Sequence, residues 1–96
     1  MAIPLPNQPI TITASAAKLG GARGRVTGVL IRGGTAAASD VRIRSGQLVG
    51  GAVIVPQIVA ATNTTEGFVG FPVPFVDGIY VEATVPAGAE ITVYWD

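Results

Sequence analysis

Six carboxylates, five arginines and a single lysine make up the charged chemistry of this 96-residue chain, which has no histidine and no cysteine. The usual general base and the usual thiol nucleophile are therefore missing, and the only amine for a Schiff base is Lys18, in a segment that reads as a loop. The acids are Asp40, Glu66, Asp77, Glu82, Glu90 and Asp96. Asp77 precedes Gly78 in a strong turn signal, where aspartate serves the backbone. Glu82 and Glu90 flank the turn at Pro86-Ala87-Gly88 and hint at a paired-carboxylate site, but a solvated sheet face is the better reading. No carboxylates cluster at metal-ligand spacing. Gly20-Gly21-Ala22-Arg23-Gly24 lacks the lysine-serine ending of a phosphate loop, and no helix pattern follows it. The expectation is a non-enzyme with no catalytic, cofactor-binding or metal residues.

The charges are distributed unevenly. Residues 1–48 carry Lys18, Arg23, Arg25, Arg32, Arg42 and Arg44 against Asp40 alone, whereas residues 49–96 carry only acids. Two arrangements satisfy this split. The halves can pair within one sandwich, or the basic face of one subunit can meet the acidic face of the next and close a ring such as a trimer. Net charge is zero, which argues against binding nucleic acid by phosphate neutralisation. Asn63-Thr64-Thr65 matches a glycosylation acceptor, a match that carries weight only in a secreted chain.

The elements that position these residues follow a strand pattern. Short runs rich in Val, Ile and Thr alternate with Gly, Pro, Ala and Ser clusters, and no segment holds a helical period. Strands are expected over 10–14, 24–32, 40–45, 53–55 with 58–61 as its continuation after a bend at Pro56, 79–85 and 91–95, with 16–23 as a loop. The nearly continuous apolar run Val26, Val29, Leu30, Ile31 suggests a strand covered on both faces. Residues 68–75 place Phe71, Val73 and Phe75 on one face and Pro72 and Pro74 on the other, so this must be an edge strand or extended ribbon. The fold expected is all-β, a compact antiparallel β-sandwich or jelly-roll-like barrel of about seven or eight short strands. Residues 1–9, with Pro4, Pro6 and Pro9, form an extended arm, and 10–96 a single domain.

Hydrophobic residues are 49% of the chain and charged residues 12%, against about 25% in typical soluble domains. So small a domain cannot cover its surface with so few charges, and association is expected to hide the excess. The N-terminus shows no basic region of a secretory signal, and the longest uncharged stretch, 45–65, is too broken by Gly, Pro and polar residues to span a membrane. A soluble chain made in the cytoplasm is expected.

Gly70-Phe71-Pro72-Val73-Pro74-Phe75, Gly78-Ile79-Tyr80-Val81 and Gly88-Ala89-Glu90-Ile91-Thr92-Val93-Tyr94-Trp95, with the earlier Arg25-Val26-Thr27-Gly28-Val29-Leu30-Ile31, resemble small structural proteins of tailed bacteriophages. The resemblance covers roughly residue 24 to the C-terminus. It implies a β-sandwich virion protein of the capsid decoration or cement kind, sitting on the capsid surface as a homotrimer, with the major capsid protein as partner and no cofactor. Three interface candidates follow: the arm (Ile3, Pro4, Leu5, Pro6), the ribbon (Phe71, Pro72, Pro74, Phe75), and Arg42 with Arg44. Each has a plainer alternative: a disordered terminus, a core-facing edge strand, and a solvated face. The competing function is a tail or fibre component with a carbohydrate- or receptor-binding sandwich, which would need Tyr80, Tyr94 or Trp95 on an exposed face.

Overall fold

The computed structural model describes residues 9–68 and 72–96, and these form two antiparallel sheets packed face to face, with no helix among them. The first sheet contains β1 (Ile10–Ile12), β3 (Gly24–Arg32), β6 (Thr65–Phe68), β7 (Val73–Phe75) and β9 (Glu90–Trp95). Its order is β1-β9-β3-β6, with β7 also pairing with β3. The second sheet contains β2 (Ala16–Lys18), β4 (Ser39–Ser45), β5 (Val53–Ala60) and β8 (Ile79–Thr84), in the order β2-β8-β4-β5. The expected β-sandwich is the observed architecture.

Alternation builds the core. Ile91, Val93 and Trp95 of β9 point inward, as do Val41 and Ile43 of β4 and Ile79 and Val81 of β8, and all are buried. Phe75 of β7 lies against Trp95 with ring centroids 6.1 Å apart at a tilted 51°, an arrangement favoured by the ring quadrupoles. In β3 the ladder to β9 slips between Val26 and Gly28, so Thr27 is an extra residue. That bulge puts both Val26 and Val29 inward and leaves Leu30 exposed. The apolar run of β3 therefore comes from a bulge, and the expected cover on both faces is corrected.

Other boundaries also move. Ala16–Lys18, expected as loop, is β2, paired with β8 through Ala16↔Val81 and Lys18↔Ile79. Beyond it Leu19, at φ 58°, and Gly21, at φ 81°, turn the chain, and the Ala22 N–H donates to the Leu19 carbonyl at 2.9 Å. Strand β5 runs straight through Pro56, because β5 is an edge strand and a register shift against β4 falls at that point. Pro56 and Gln57 stand against Arg42, so the missing proline N–H sits where the ladder is already irregular.

The two turns marked in the sequence join strands of different sheets. Asp77 and Gly78 both have the left-handed φ, at 60° and 78°, that Asp-Gly turns adopt. Yet β7 belongs to the first sheet and β8 to the second, so the turn carries the chain from one layer to the other. The segment 85–89 does the same between β8 and β9. Glu82 and Glu90 consequently lie in different sheets, and the paired-carboxylate idea is overturned.

Candidate assembly surface

Four of the twelve charged side chains form two ion pairs within the chain. Sheet order places basic strands of the first half beside acidic strands of the second, β3 beside β9 and β4 beside β8. Arg25 holds Asp96 by a two-pronged pair, Nε to Oδ1 at 2.9 Å and Nη2 to Oδ2 at 3.0 Å. Backbone bonds join the same residues in both directions. Arg44 donates from Nε to Glu82 Oε1 and from Nη1 to the Gly51 carbonyl, the latter at 2.9 Å. Arg32 stands opposite Glu90, and Arg42 opposite Glu82. Of the two arrangements open to the charge split, the fold supplies the internal one for Arg25 and Arg44.

Asp77 has a structural task. Its Oδ1 accepts from the Gly21 N–H and from Gln47 Nε2, both at 3.0 Å. The Gly78 N–H donates to the Ala22 carbonyl, and the Gly46 N–H donates to the Gly78 carbonyl. One turn thus ties together the loop before β3 and the loop between β4 and β5. No group of three or more acids sits close enough to hold a metal ion among the described residues, and no helix there is long and apolar enough to cross a membrane.

The interface candidates fare differently. Ile3, Pro4, Leu5, Pro6 and Phe71 lie outside the described residues. Pro72 and Pro74 are exposed on the edge strand β7 and its approach, with Pro74 opposite Arg25. Phe75 is in the core at 1% exposure, so the core-facing alternative holds for it and it presents nothing to a partner. Arg44 is half-buried under its two bonds, which leaves Arg42, also half-buried, as the less committed of the pair. The aromatics do not gather: Tyr94 is on the outward face of the first sheet, Tyr80 on the outward face of the second, and Trp95 is buried. No single platform for a sugar ring forms from them.

The surface that stands out was not among the candidates. From Ser45 to Thr65 the chain has no charge, and that stretch folds as the 46–52 loop, the edge strand β5 and the turn after it. Along it Leu48 is 75% exposed, Val49 61%, Val59 56% and Val53 45%. The loop encloses an open concavity lined by Gln47, Leu48, Val49 and Asp77. Edge strands are ordinarily guarded by charge, brevity or proline because their unpaired N–H and C=O groups template association. The guards elsewhere are evident: β1, β2 and β7 are three residues each, and β6 is four residues with Glu66 in it. Strand β5 is eight residues long and uncharged, with Pro56 and two register shifts against β4 as its guards. The uncharged stretch is visible in the sequence, but its place at a sheet edge depends on topology.

The class these features define is a two-layer antiparallel β-sandwich with one long, uncharged edge set with exposed apolar side chains. No protein-family model, no curated protein and no solved structure matches the chain.

Proposed function

We propose that this protein is a non-catalytic structural module that works by assembling with copies of itself. Within that class we propose a capsid decoration or cement protein of a tailed bacteriophage, a homotrimer on the virion surface that bridges major capsid subunits. The observation that carries the assembly reading is the edge strand β5 with its neighbouring loop, uncharged and set with exposed Leu48, Val49, Val53 and Val59. A lone domain in water gains nothing from such an edge and risks aggregation by it. The sparse charge points the same way, since 12% charged residues leave much of so small a surface apolar. The virion assignment rests on the resemblance of the 70–95 region and the β3 strand to phage structural proteins. Co-sedimentation of the purified protein with undecorated capsids tests it. Saturable binding at a fixed ratio to the major capsid protein is expected, and no binding to any such shell overturns the virion assignment.

A further inference from the structure

We infer that the edge of β5 receives the N-terminal arm of a neighbouring copy, around residues Ile3 to Asn7, as an added strand. The inference rests on the assembly reading above and names the contact through which it occurs. Three observations lead to it. First, β5 has β4 on one side and no backbone partner on the other among the described residues. Second, the arm is built for one-sided pairing. In an extended chain successive N–H groups point to opposite edges. Pro4 and Pro6 therefore strip the donors from one edge, while Ile3, Leu5 and Asn7 keep theirs on the other. An added strand of this kind pairs once and then terminates the sheet, because proline cannot donate to a further ladder. It also carries no charge, matching the uncharged edge it would meet.

Third, the arm cannot lie along the β5 of its own chain. Residue 9 leads into β1, at one margin of the first sheet, while β6 at the opposite margin packs beside β5. β1 and β5 are set apart by three strand spacings and, at right angles to them, one layer, about 17 Å in a straight line. Leu5 is four residues from Pro9 and Ile3 six, giving reaches of about 14 Å and 21 Å at full extension, so Ile3 has the length to touch that edge while Leu5 and Asn7 fall short of it. An arm seated along β5 must therefore come from another molecule. Such a contact joins unlike surfaces, margin to opposite margin, and closes into a ring when the rotation allows.

The absence of native cysteine makes the test clean. Two full-length variants, Leu5→Cys and Val59→Cys, are mixed and oxidised gently, and the same is done with Val53→Cys and Gln57→Cys in place of Val59→Cys. Light scattering is run on each mixture. The expected result is a disulfide between the two different chains for at least one of the three positions, with no link formed by either chain alone. An oligomeric mixture without any cross-link overturns the arm contact while leaving assembly standing. A β5 variant that links to itself overturns it in favour of edge-to-edge pairing. A mixture of monomers removes both.

Discussion

At the residue scale, the two ion pairs look alike in sequence and differ in worth. The Arg25 side chain is 56% exposed, so its pairing with Asp96 is screened by water and counts for little. The Arg44 side chain is 20% exposed, and it also caps the Gly51 carbonyl. Arg44→Ala leaves Glu82 and that carbonyl without their donor, at a cost of about 1–3 kcal/mol. Arg25→Ala should cost about 0.5 kcal/mol, within the range of exposed pairs. Urea midpoints of the two variants check this; equal shifts would contradict it. Asp77→Ala removes the shared acceptor of Gly21 and Gln47, and because all three are exposed it should cost about 0.5–1.5 kcal/mol by the same measurement. Asp77 is legible as a turn residue from the Asp-Gly pair, but the two loops it ties lie far away in sequence and leave no local signal.

At the scale of elements, strand existence was far more legible than strand partnership. Val/Ile/Thr alternation located β3, β4, β8 and β9 closely, because burying one face imposes a period of two wherever the pairing lies. Strand β2 escaped because Ala16-Ala17-Lys18 has no β-branched residue, and its pairing with β8 is tertiary. The Asp77-Gly78 turn has the dihedrals of a hairpin, yet local geometry does not say whether the next strand returns to the same sheet or crosses to the other. That crossing is tight. A Cβ on Gly78 would stand 2.6 Å from the Lys18 carbonyl oxygen and 2.7 Å from that of Leu19, at a φ of 78°. Gly78→Ala is therefore expected to destabilise by about 2 kcal/mol or more, from backbone strain together with the clash. Thermal unfolding checks it, and an unchanged midpoint would show that the crossover relaxes.

At the scale of the whole molecule, the charge split and the bare edge make opposite statements about how copies meet. If opposite halves attracted each other between subunits, assembly would weaken as salt rises, since the Debye length shrinks to about 3 Å at 1 M. Here two of the arginines already have acidic partners within the chain, Arg25 with Asp96 and Arg44 with Glu82. Contact through an uncharged, apolar edge should instead persist in 1 M sodium chloride, with the oligomer mass unchanged. That edge is a joint product of an uncharged stretch, which composition reveals, and a sheet order, which it does not. The central claim is assembly, and light scattering of the purified full-length chain at micromolar concentration tests it most directly. The account predicts an integral multiple of the 9.7 kDa chain, three being the multiple proposed, and a mass of 9.7 kDa at every concentration would contradict it.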